Sequence, residues 1–147
     1  MIEERVPLRS NDEETSKYLK PEEIDFQPII LDVNFLMAPF QFKINMDVEL
    51  GKVVPECVPV VPSSVLRELE SLLRKGNDWK VKAAIELASR YTVVDIRGKG
   101  DAPIFNLAVG RRWPVATSDR GLRNKLHKRG IPVVLVRERG HLELTEP

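Results

Sequence analysis

Two kinds of apolar pattern alternate along the chain. Ile29-Ile30-Leu31, Val58 to Val61, Tyr91 to Val94, Val115-Ala116-Thr117 and Val133 to Val136 are short runs, continuous or β-branched, as in strands covered on both faces. Longer stretches between them repeat at helical spacing. Pro62-Ser63-Ser64 opens one that carries Val65, Leu66, Leu69, Leu72 and Leu73 on one face and ends at Gly76. Asn77-Asp78 caps the next, with Val81, Ala84, Ile85 and Ala88 in register. Asp101 heads a third, whose apolar side holds Ile104, Phe105 and Ala108. Ser118-Asp119 opens a fourth, with Leu122 and Leu126, which stops at Gly130. A short helix is expected over Asn45 to Leu50 and an edge strand over Leu142 to Leu144. Strands alternating with helices predict an α/β fold with a mostly parallel central sheet, buildable with right-handed crossovers. The first 27 residues are polar and acidic and offer little to bury. They are read as a flexible arm or a short helix ahead of a domain over residues 28–147.

In open parallel sheets, ligands bind beyond the carboxyl ends of the strands. Two acids fall there. Asp32 directly follows the first strand and has no obvious sequence-local partner, and Asp119 follows Val115-Ala116-Thr117. Asp101 sits on the helical wheel between Ile104 and Phe105, above the buried side of its helix, where a carboxylate must be paired, hydrogen-bonded or metal-bound. Glu68 and Glu70 flank opposite edges of one apolar stripe, and periodicity does not choose between them. Each acid also has a purely structural reading. Asp101 and Asp119 suit helix caps, worth about 1 kcal/mol each, and Glu68 suits a solvated helix face. Jointly they mean more, because several acids at one sheet end repel unless a cation neutralises them. An oxygen-only donor set favours Mg²⁺ or Mn²⁺ over zinc or copper.

Composition narrows the field further. The 147 residues suit one domain, and 42% hydrophobic with 31% charged content is ordinary for a soluble protein. No apolar run is long enough to cross a bilayer, the acidic N-terminus is unlike a secretory signal, and a cytoplasmic protein without membrane partners is expected. Cys57 is the only cysteine, which excludes an intrachain disulfide and a cysteine-based zinc site. The net charge of +1 hides an asymmetry. Residues 1–60 hold 6 Lys and Arg against 12 Asp and Glu, and residues 61–147 hold 17 against 10. A basic second half is a weak pointer to an anionic partner, and on charge alone a solvated surface suits it better.

The acids lie in stretches that resemble the motifs of PIN-domain ribonucleases. Ile29-Ile30-Leu31-Asp32-Val33-Asn34 is similar to the opening strand and Asp-x-Asn of that family. Val65-Leu66-Arg67-Glu68-Leu69 resembles the second motif, which selects Glu68 over Glu70. Gly100-Asp101-Ala102-Pro103-Ile104 resembles the third, and Ala116-Thr117-Ser118-Asp119-Arg120-Gly121-Leu122-Arg123 the fourth. Gly130-Ile131-Pro132-Val133 resembles the run into the last strand, so the likeness covers about residues 28–144. It implies a PIN-like three-layer sandwich and hydrolysis of RNA phosphodiesters with Mg²⁺ or Mn²⁺. Asp32 and Asp101 would be direct ligands. Asp119 and Glu68 would bind directly or through water, and Asn34 and Ser118 would orient ligands. Arg111, Arg112, Arg120, Arg123 and Lys125, with Lys128 and Arg129, would form an RNA-binding rim. Trp113 could stack on a base, although packing suits it better, His127 reads as a surface residue, and Asp95 could extend the acid cluster. Some PIN domains carry a further acid where this chain has Ala102 or Gly121, which suggests one ion held by protein and a second held only with substrate. The stretch Asn34 to Phe42 is similar to an archaeal subgroup related to pre-ribosomal RNA processing nucleases. The family also contains VapC toxins and modules that bind RNA or ribosomal proteins without cutting, so an antitoxin, a ribosome-assembly factor or a second copy of the chain are the implied partners.

Overall fold

A computed structural model describes residues 18–137 and 140–147. Seven strands form one sheet: β1 (Tyr18–Leu19), β2 (Pro28–Leu31), β3 (Val58–Pro62), β4 (Thr92–Val94), β5 (Val115–Ala116), β6 (Val133–Val136) and β7 (Leu142–Thr145). Their order is β1-β4-β3-β2-β5-β6-β7. All neighbours run parallel except β6 and β7, which pair antiparallel. Among the described residues, six α-helices connect them: α1 (Val33–Phe42), α2 (Met46–Val53), α3 (Ser63–Gly76), α4 (Trp79–Ala88), α5 (Asp101–Arg111) and α6 (Arg120–Lys128). Helices α1, α3 and α4 pack together, as do α5 and α6. The result is the expected α/β sandwich.

The sheet follows from its composition. Every residue of β2 is buried, as are Val60, Val61, Val115, Ala116, Val133 and Val134 in its neighbours. Each large aliphatic side chain so buried contributes about 1.5–3 kcal/mol, and none leaves a polar face that would demand solvent. The chain runs from β2 outward through β3 and β4, then returns to the other side of β2 for β5 and β6. That reversal leaves a crevice between the loops that leave β2 and β5, at the carboxyl edge of the sheet.

Four elements differ from expectation. Helix α1 was not signalled, because Val33–Phe42 is apolar nearly all round and contains Pro39, so no two-sided pattern marks it. It buries Phe35, Leu36, Ala38 and Pro39. Helix α2 runs on to Val53, beyond the expected end at Leu50. Helix α3 buries a narrower stripe than its leucines suggest, since Leu72 is exposed and Leu69 is fully buried. Ahead of residue 28, Tyr18 and Leu19 pair with Val93 and Val94 and supply an edge strand. Backbone pairing needs no apolar pattern, so such a strand is silent in sequence. The expectation of a flexible arm over residues 1–17 lies outside the described residues.

The asymmetry on α3 can be measured. Leu69→Ala should cost about 2–5 kcal/mol in chemical denaturation, whereas Leu72→Ala should stay within about 0.5 kcal/mol of the parent. Equal losses would contradict this packing of α3.

Candidate active site

Each of four successive strand-to-helix segments supplies one acid. Asp32 follows β2, Glu68 lies on α3 after β3, Asp101 starts α5 after β4, and Asp119 follows β5. The four carboxylates line one small cleft together with Val33, Asn34, Gly100 and Ile104. Its volume is about 60 Å³, room for a few waters at about 10–15 Å³ of probe volume each.

Asp32 is the buried member, only 6% exposed. It has a local partner that the sequence did not disclose, because α1 was not anticipated. Its Oδ1 accepts the Phe35 N–H at 2.8 Å and so caps that helix. Its Oδ2 accepts a hydrogen bond from the Thr117 hydroxyl. Thr117 is fully buried, and its Oγ1 also accepts the Asp119 N–H at 3.0 Å. One hydroxyl thus fixes the acids of β2 and β5 relative to each other. Thr117 was read as a strand residue and Ser118 as the orienting hydroxyl. Ser118 is exposed and does not line the cleft. Thr117 could have been found from its position, as a polar residue at the end of a buried strand and two residues before an acid.

Asp119 does cap α6, accepting the Leu122 N–H at 3.0 Å. Asp101 does not cap α5. Gly100 takes that place with φ 74°, and Asp101 is the first helical residue. No helical turn precedes it, so its side chain is exposed rather than held over the buried face as its wheel position implied. Glu68 is exposed on α3 and Asn34 on α1, and both face the cleft. Asp95 does not join this group. Its Oδ1 accepts from Ser63 at 3.4 Å, beside the start of α3.

The electrostatics are those of crowded like charges. Burial pushes the Asp32 carboxyl up from 3.8 to about 7, with Asp101 and Asp119 adding to the rise, against the pull of the Thr117 and Phe35 hydrogen bonds. Asp101 is also raised, by partial burial and by the Asp119 carboxylate beside it, with Lys125 opposing. Among the described residues, no three His, Cys, Asp or Glu side chains converge tightly enough to cage one ion. All the cleft donors are oxygens, Asp101 and Asp119 are neighbours, and each Asp32 oxygen keeps a lone pair free of its present bond. The residues therefore fit a hard divalent ion.

The basic residues named from the sequence are dispersed. Lys125 lies near Asp101. Arg111 approaches Glu22 at 3.8 Å. Arg112 donates to the carbonyls of Arg129 and Gly130 at 2.9 and 3.4 Å. Arg129 lies 5.8 Å from the Phe105 ring centre. Arg120 is exposed, and Arg123 is half-buried with its guanidinium 3.5 Å from Asn124. Lys128 is exposed at the last turn of α6. Trp113 packs against the core and, with Arg112, Cys57 and Phe26, lines a different cavity. His127 contacts the Thr145 hydroxyl at 3.1 Å.

Known proteins share this chain's pattern. Residues 29–139 match the family model described as PIN like domain. Ribonuclease VapC4 of Methanocaldococcus jannaschii is 35% identical over 124 residues, covering 79% of this chain and 95% of that protein. Ribonuclease VapC9 of Archaeoglobus fulgidus is 32% identical over 82 residues, 54% of this chain and 61% of that one. The solved PIN domain endonuclease Utp24 superposes with a TM-score of 0.68 at 24% identity, over 79% of this chain and 89% of its own.

The raised Asp32 carboxyl has a consequence for stability. Its folded value of about 7 exceeds 3.8, so its contribution is fully present below the lower value and is lost as pH rises through the upper one. Metal-free protein should lose on the order of 2 kcal/mol between pH 5 and pH 8. Asp32→Asn, which keeps an acceptor for the Phe35 N–H, should flatten that slope in parallel denaturant titrations. An unchanged slope would contradict the assignment.

Proposed function

Because the chain belongs to the PIN-like domain family, we propose that it is a divalent-metal-dependent endoribonuclease. The observation that carries this reading is the convergence of one acid from each of four successive strand-to-helix segments on a single cleft. Likeness to Ribonuclease VapC4 over nearly all of that protein supports RNA as the substrate.

Asp101 and Asp119 would hold the ion, with Asp32 as a third ligand once its proton is displaced and Glu68 acting directly or through water. A bound Mg²⁺ or Mn²⁺ lowers the pKa of its water and neutralises charge that builds on a phosphate. Thr117 positions Asp32 and the backbone of Asp119 with one hydroxyl. Its hydrogen bond favours the ionised form of Asp32, the form a cation needs. Asn34 offers an amide at the cleft wall, suited to orienting water or a phosphate oxygen. Lys125 supplies positive charge beside Asp101, so a phosphate arriving there is not met by carboxylates alone. Ser118 belongs to this reading only as an exposed neighbour of Asp119. The rim of Arg111, Arg112, Arg120 and Arg123 would act at longer range, by attracting the strand.

The names of the two ribonuclease relatives favour a VapC-type enzyme with an antitoxin partner as the second reading, beside a role in ribosomal RNA processing. Growth arrest on expression, relieved by the product of a neighbouring gene, is the outcome that a VapC-type enzyme predicts.

Wild-type protein should cleave single-stranded RNA with Mn²⁺ or Mg²⁺ and not with EDTA. Asp101→Asn and Asp119→Asn should each reduce cleavage by about 100-fold or more, beyond the 10–100-fold typical of groups that only support a ligand. Thr117→Val should fall within that lower range. Equal cleavage by wild type and both Asp variants would overturn the proposal. RNA binding without cleavage would make the protein a non-cutting module.

A further inference from the structure

A second, basic pocket shares a wall with the acidic cleft. Ser64, Arg67, Glu68, Ser71, Arg74 and Lys75 recur at helical spacing along one face of α3. That face meets the loop Gly98-Lys99-Gly100, and together they enclose the pocket. Glu68 and Gly100 line both this pocket and the cleft, and Asp101 directly follows Gly100.

The pocket is built for an anion. Arg67, Arg74, Lys75 and Lys99 give it four positive charges against the single carboxylate of Glu68. Among the described residues, no carboxylate forms an ion pair with any of those four. The loop is held in place rather than draped. Arg67 donates to the carbonyls of Ile96 and Gly98 at 3.0 and 3.1 Å. Gly98 has φ 101°, and a Cβ there would fall 2.8 Å from the Pro103 ring. Ser64, 6% exposed and one of the lining residues, has a buried hydroxyl with no hydrogen-bond partner among the described residues. Four cations with no acidic ion-pair partner among the described residues and a fixed loop share one concavity, beside a buried unpartnered hydroxyl, and together they point to an anionic ligand.

We propose that this pocket binds a backbone phosphate of the RNA strand next to the one that enters the acidic cleft. The inference rests on the ribonuclease reading for the identity of the anion. Contiguity gives the geometry, since a strand crossing the shared wall of Glu68 and Gly100 meets cations on one side and the four acids on the other. Positive charge there also offsets the repulsion between a polyanion and the carboxylates. Basic side chains of α3, Arg74 and Lys75, and Lys99 of the loop therefore grip the substrate, and Arg67 positions the loop that carries Lys99.

The test compares two double variants of equal charge, Arg74→Ala with Lys75→Ala, and Lys80→Ala with Lys82→Ala on α4 as the control. Binding of a fluorescent single-stranded oligoribonucleotide is followed by anisotropy in EDTA over a salt series. The pocket variant should bind about tenfold more weakly, and its slope of log affinity against log salt should fall by about 1.4, near 0.7 per lost contact. The control should keep the wild-type slope. In Mn²⁺, the loss should appear in KM more than in kcat. Equal slopes for the two variants would overturn the proposal. So would displacement of RNA by micromolar inorganic phosphate, which would mark a small-anion site. Failure of wild type to cleave in Mn²⁺ while the slope difference persists would sink the nuclease reading and leave the pocket assignment standing.

Discussion

Burial of the Asp32 carboxylate at the carboxyl edge of a parallel sheet is the constraint on which the structure turns. Its cost is set by the apolar strand it follows, because β2 is covered on both faces and must end beneath protein rather than in water. Two interactions keep that acid in place. The Phe35 N–H uses it to start α1, and the Thr117 hydroxyl ties it to β5. Neither returns the carboxyl to its ordinary range, and it stays at about 7. On the proposed reading, the unrelieved part of that cost is what a divalent ion would recover, with Asp32 as its third ligand.

The same atoms serve folding and chemistry. Asp32 and Asp119 both cap helices, and both caps present the remaining carboxylate lone pairs toward one cleft. Capping thus orients the acids at no extra structural cost. Asp101 is free of that duty because Gly100, in a left-handed conformation, makes the turn ahead of it. The acid that caps no helix is the one set against Asp119, with Lys125 nearby. The four-acid cluster thus has two members anchored as caps, Asp32 and Asp119, and two that cap no helix, Asp101 and Glu68.

Helix α3 shows how one element divides its faces. Val65 and Leu69 are buried against the sheet and the other helices. Glu68 reaches the cleft, and Arg67, Arg74 and Lys75 face the glycine loop. Negative and positive fields therefore lie side by side on one rigid support. A polyanion can be attracted by one and positioned by the other without a moving part.

Apolar periodicity is a local property, and it alone carries the α/β class, the buried strands and the helices with a two-sided pattern. The sequence also placed Asp32 and Asp119 at the sheet edge, since an acid directly after a buried strand or heading the next helix is locally visible. Glu68 could be told from Glu70 only by resemblance to a family, because both sit at the rim of one stripe. Helix α1 and strand β1 carry no sequence signal for different reasons, one being apolar on nearly every side and the other only two residues long. The tertiary structure alone decided the role of Thr117, the exposure of Asp101 and the pairing of α3 with the glycine loop. The first and last depend on segments dozens of residues apart, such as Thr117 and Asp32 at a separation of 85, and Asp101 is exposed because Gly100 rather than Asp101 caps its helix. Local pattern records which face is buried, but only the crossing of strands records what that face meets.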